Sequence, residues 1–236
     1  MVTKRRIDDG TSVAENHPQR FSLHEAIFLG IMASLNVVVD LLASTILKFF
    51  LPHAIAGIFV MVPVNFMLMS IARLVVDKAG TLAIYLTTFG VLSIPTPLFG
   101  GIAGPYKIVV GLAIGLLLDA TLVGKWAMKA RLVMFGLVGA VAWWVATYTI
   151  WQLFGLPFVT AFSNMFNAAS ASFNGAISLS GIFHLPITGF GVDFLAFAAI
   201  CGLFSAGPVL IGILAGYKVF LVMQASPQLA RFRNMK

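Results

Sequence analysis

Six apolar runs, each close to the length that crosses a bilayer, leave this sequence little to become except a helical membrane protein. They extend from Leu23 to Leu47, Ala54 to Val76, Thr81 to Leu98, Tyr106 to Val123, Leu132 to Leu156 and Val192 to Val222. About twenty residues of helix cover a hydrocarbon core of about 30 Å, and backbone amides that find no water there must bond within the chain. Charge is also too scarce to wet the surface of a soluble domain, since 10% of residues are charged against 60% hydrophobic and the mean hydropathy is +0.99. The expected fold is therefore all-α: a polytopic integral membrane protein with about six transmembrane helices in one bundle over residues 22–223. Tails at 1–21 and 224–236 flank it.

The formal net charge of +7 does not point to nucleic acid, because the basic residues fall in short clusters between apolar runs and form no continuous wetted stripe. They report orientation instead. Lys4, Arg5, Arg6, Arg20, Arg73, Lys78, Lys125, Lys129, Arg131, Lys218, Arg231, Arg233 and Lys236 fall on one side of a six-span layout, and only Lys48 and Lys107 on the other. Thirteen against two places both termini in the cytoplasm of a multi-pass protein of the cell membrane. The first twenty residues have no apolar core or small-residue cleavage site and read as a mobile tail, not a secretory signal. Cys201, the single cysteine, lies inside an apolar run and reads as packing.

Catalytic signatures are missing. No HExxH, Cys/His cluster or GxSxG occurs, and Gly124-Lys125 lacks the spacing and the following Ser or Thr of a phosphate loop. The chain is expected to be no enzyme and to need no metal or cofactor. Its informative residues are polar groups inside the apolar runs, where an ionisable side chain is costly and marks function by default. Asn36 and Asp40 lie four apart on one face of the first helix, Asn65 lies at mid-depth in the second, and Tyr85, Thr87 and Thr88 lie in the third. Lys107 opens the fourth run and Asp193 the sixth, so Lys107 is placed to pair with Asp40 or Asp193, as a structural pair or around a ligand. Trp144 belongs to an aromatic group with Trp143, Tyr148 and Trp151 that suits either a planar ligand or the membrane interface. The candidate substrate-binding residues are thus Asn36, Asp40, Lys107, Asp193, Tyr85 and Trp144. Asp119 ends the fourth run and reads as a cap or subunit contact.

Two connections stand out. Residues 93–107 hold Pro95, Pro97, Gly100, Gly101, Gly104 and Pro105, which stop a helix and leave amides free beside Lys107, for a ligand or for a rigid turn. Residues 157–191 form a long uncharged connection rich in Ser, Asn, Ala and Gly, expected as short helices or re-entrant turns on the outer surface. Small residues four apart signal close helix contacts: Ala26, Gly30 and Ser34, then Gly111 and Gly115, Gly136 and Ala140, Gly212 and Gly216.

The stretch from Gly57 to Asp119 resembles the membrane-embedded substrate-binding (S) components of energy-coupling factor (ECF) vitamin transporters, closest to the thiamine or hydroxymethylpyrimidine type. The likeness rests on Pro63, the loop Gly100-Gly-Ile-Ala-Gly-Pro-Tyr-Lys107, and the run Ile108-Val-Val-Gly-Leu-Ala-Ile-Gly115 leading to Asp119. It implies capture of a vitamin or vitamin precursor from the outer face. It also implies tilting of the whole subunit, driven by a transmembrane coupling subunit and two cytoplasmic ATPases. Docking on that coupling subunit would fall to Ala26, Gly30 and Ser34, with glycine where members of the family carry an alanine. The 157–191 connection departs from compact members. Other readings stay open: a self-sufficient secondary transporter or channel using Asp40, Lys107 and Asp193, an integral membrane enzyme acting on lipid, or a scaffold subunit.

Overall fold

In a computed structural model, which describes residues 21–47, 57–96, 98, 103–123, 127–153 and 192–225, the chain is all-helical. Its helices are α1 (Leu23–Leu47), α2 (Val62–Val76), α3 (Thr81–Leu92), α4 (Tyr106–Leu122), α5 (Met128–Leu153) and α6 (Val192–Gln224), with a π-helical turn, Gly57–Met61, running into α2. Four are long and apolar enough to cross a membrane: α1, α2 with its π turn, α5 and α6. The expected runs and the observed helices coincide at most ends.

The third run is the exception. Expected to Leu98, α3 stops at Leu92, since Pro95 has no amide hydrogen to donate back along the helix and disfavours helical geometry in the residue before it. A compact turn follows, in which the Thr96 amide donates to the Ser93 carbonyl (3.0 Å) and the Gly104 amide to the Ile94 carbonyl (3.0 Å). The fifth helix begins at Met128, four residues before the expected Leu132, and ends at Leu153. The connection 157–191 and the tails lie outside the described residues.

Helix contacts run in a closed order, α1 to α3, α3 to α4, α4 to α5, α5 to α6 and α6 to α2, with α2 also touching α1 and α3. Phe66 of α2 fills the centre, packing on Phe135 of α5 with ring centroids 5.4 Å apart. Small residues set the closest approaches. A Cβ added at Gly115 would lie 2.5 Å from the Ala83 Cα, and one at Gly216 would meet the Met67 carbonyl at 2.7 Å, so α4 and α6 each use their glycine pairs inside the bundle. At Gly30 on α1 the same atom would meet nothing within 4 Å.

Candidate functional site

Charged residues gather at one end of the bundle, where the sequence places helix termini. Ser22 and Glu25 form a capping box at the start of α1: the Ser22 amide donates to Glu25 Oε2 (2.8 Å) and the Glu25 amide to Ser22 Oγ (3.2 Å). Lys78, in the turn between α2 and α3, donates to that same Oε2 at 2.6 Å and lies 5.6 Å from the Phe21 ring centroid. Asp119 of α4 accepts the amides of Leu82 and Ala83, both at 3.0 Å, and so caps the first turn of α3. Arg73 of α2 pairs with Asp77 at 2.7 Å and approaches Asp119 at 3.6 Å. Four elements are tied there by opposite charges.

A second polar cluster sits between α1, α2 and α3, away from that charged rim. Asn65 lies eight residues before Arg73 on α2, roughly 12 Å along the helix axis. Its Nδ2 donates to Asp40 Oδ2 at 3.2 Å, joining α2 to α1. Because an ionised carboxylate only accepts, this bond fixes which end of the amide is nitrogen and leaves Asn65 Oδ1 facing elsewhere. Asn36 stands one turn before Asp40 on the same face, and Tyr85 is buried on α3, which packs against α1. All four side chains are buried, with Asn36 2% exposed, Asp40 3%, Asn65 4% and Tyr85 0%.

The cluster is short of partners. Asn36 Oδ1, Asp40 Oδ1, Asn65 Oδ1 and the Tyr85 hydroxyl are each buried with no hydrogen-bond partner among the described residues. Buried polar atoms nearly always find one, since leaving one unpaired costs about 1–3 kcal/mol. Here the four lie on three adjoining helices; at the charged rim Glu25 Oε1, Arg73 Nε and Asp119 Oδ1 also lack a hydrogen bond, but each belongs to a group with an ion-pair partner. Asn65, which the sequence shows only as a polar residue at mid-depth, belongs to this site. Its isolation in an apolar run was the signal.

Two expected site residues have other partners, and the side chain of a third is outside the described residues. Lys107 is fully buried, and its ammonium donates to the carbonyls of Ser93, at 2.8 Å, and Thr96. The expected pairing with Asp40 does not form; the ammonium closes the α3–α4 turn, donating to a Ser93 carbonyl that also accepts the Thr96 amide. Trp144 donates its indole hydrogen to Ser205 Oγ at 2.9 Å, bracing α5 on α6. Asp193 lies in the first turn of α6, but its side chain is outside the described residues, as are those of Cys201, Tyr148 and Trp151.

The α1 face carrying Ala26, Gly30 and Ser34 is open, with Ala26 and Ser34 exposed and Ser34 Oγ bonded back to the Gly30 carbonyl at 2.8 Å. Exposed Ile27, Ile31 and Leu23 border it. No protein-family model, no curated protein and no solved structure matches the chain.

Proposed function

We propose that this chain is a membrane-embedded solute-capture subunit of the ECF type, taking up a vitamin or vitamin precursor and driven by ATPases on separate chains. All six helices cross the bilayer in this reading, with α3 and the Pro/Gly turn together completing one crossing. Thirteen of the fifteen Lys and Arg residues then face the cytoplasm with both termini. The observation that carries the proposal is the buried group of Asn36, Asp40, Asn65 and Tyr85, with four polar atoms awaiting partners. Unlike the rim, this group has no opposite charge beside its carboxylate among the described residues.

The docking side of the proposal draws on α1. Glycine pairs on α4 and α6 are filled by neighbouring helices, whereas Gly30 meets nothing within 4 Å. An open small-residue face lets another helix backbone approach closely. The coupling subunit docks there, and the ATPases act through it.

Uptake assays test this directly. Cells that take up the solute should stop when the partner ATPase is disabled, and the purified chain alone should hydrolyse no ATP. A second reading has one observation in its favour: Asp40 is a buried carboxylate without an ion-pair partner among the described residues, as a gradient-driven carrier also requires. Uptake into liposomes containing only this chain, driven by a proton or sodium gradient, would establish that reading in place of the first.

A further inference from the structure

We propose that Asp40 is the counter-charge for a monovalent cation, so that the ligand of the mid-bundle site presents a positively charged group to α1 and α2. The proposal rests on the solute-binding reading of that site and names the class of group bound.

The described basic residues that are not exposed are engaged away from Asp40. Arg73 serves Asp77 and Asp119, Lys78 serves Glu25, Lys107 serves two carbonyls, and Arg131 donates to the Leu122 carbonyl at 3.0 Å. Lys129 and Lys218 are exposed. Among the described residues, Asp40 is left with a single amide hydrogen bond from Asn65. A carboxylate so placed in an apolar surround needs a positive charge or a proton.

The neighbouring atoms choose among ligands. Asn36 Oδ1, Asn65 Oδ1 and the second Asp40 oxygen are acceptors, and the Tyr85 hydroxyl can also accept. An anion or a ligand rich in carbonyls would bring further acceptors and leave these unpaired. A group with several N–H donors and one positive charge fits, and so does a bare alkali ion held by oxygens. A divalent ion does not, because one carboxylate leaves half its charge unbalanced in a low-dielectric site. The shared chemistry is a single positive charge, whether it belongs to an organic head such as an amidinium or to sodium.

The test uses the full-length protein in lipid nanodiscs and follows its melting temperature with four probes at equal ionic strength: benzamidinium chloride, sodium chloride, sodium benzoate, and, as the reference, tetraethylammonium chloride, whose bulky cation has no N–H donor. Benzamidinium or sodium ion should raise the melting temperature, and Asp40→Asn should weaken that probe's apparent affinity at least about tenfold. Asn36→Ala and Tyr85→Phe should each weaken it by a smaller factor. A response to benzamidinium alone assigns the charge to an organic solute; a response to both sodium salts assigns it to the ion. Without a probe, Asp40→Asn should melt no lower than the native protein, since it removes an unbalanced buried charge. Two outcomes overturn the proposal: no cation stabilises the native protein, or the stabilisation survives intact in Asp40→Asn. Binding of benzoate that is lost in Asn36→Ala would refute the cationic class while leaving the solute site standing. Uptake that does not depend on an ATPase would refute the ATPase-driven reading while leaving the cation site.

Discussion

The charged rim and the mid-bundle cluster both bury ionisable groups, and they treat them in opposite ways. At the rim Glu25 meets Lys78, Asp119 meets two amides and Arg73, and Arg73 also meets Asp77. In the cluster, among the described residues, Asp40 has one neutral amide, and the oxygens of Asn36 and Asn65 have no donor. Opposite charges and helix-terminal amides brought together tie the helix ends, because each charge has an opposite charge beside it even where single atoms, Glu25 Oε1, Arg73 Nε and Asp119 Oδ1, lack a hydrogen bond. In the proposed function, the incomplete cluster takes its missing partners from the bound solute.

This contrast breaks most readily at Asp119. Asp119→Ala would strip the α3 amides of their acceptor and leave the buried Arg73 with only its exposed Asp77 partner. A loss of about 3–5 kcal/mol is expected, read by reversible unfolding in detergent. A cost no larger than that of Asp40→Asn would mean that the two regions do not differ as described.

Glycine substitutions sharpen the same comparison for packing. Gly115→Val places a side chain on the Ala83 backbone, where a Cβ alone already stands 2.5 Å from the Cα, and should cost about 2–3 kcal/mol in the unfolding assay. Gly30→Leu should leave stability within about 0.5 kcal/mol because nothing lies within 4 Å. It should nevertheless separate the subunit from its partners on co-purification.

Lys107 gives the smaller effect. Lys107→Met keeps the buried stem and removes the bonds to Ser93 and Thr96, so stability should fall by about 1–3 kcal/mol while affinity for the solute is unchanged. Reduced affinity at unaltered stability would return Lys107 to the binding site.

The sequence made some of this legible and hid the rest for physical reasons. Hydropathy located helix ends because burial in lipid or core acts on runs of residues, and Pro95 shortened α3 by local geometry that runs do not register. Spacing put Asn36 and Asp40 on one face, since a helix turn fixes that relation. The Asp40–Asn65 bond spans 25 positions and depends on how α1 leans on α2, which no local pattern records. Lys107 reads as facing a carboxylate, but its ammonium is held by the Ser93 and Thr96 carbonyls in the turn after α3, a contact that depends on how that turn folds back on α4. Trp144 was expected at a ligand or an interface, and it donates to Ser205 because a buried indole needs an acceptor. Ser22-Leu-His-Glu25 was readable as a capping box; only its link to Lys78 required the fold.

The most direct measurement is the small molecule released on denaturing full-length protein purified from its native membrane, native and Asp40→Asn side by side. The account predicts a near-stoichiometric solute with a positively charged nitrogen group from the native protein and little from Asp40→Asn, with equal recovery of partner subunits in both. The same solute in equal amount from Asp40→Asn, or none from the native protein, would contradict it.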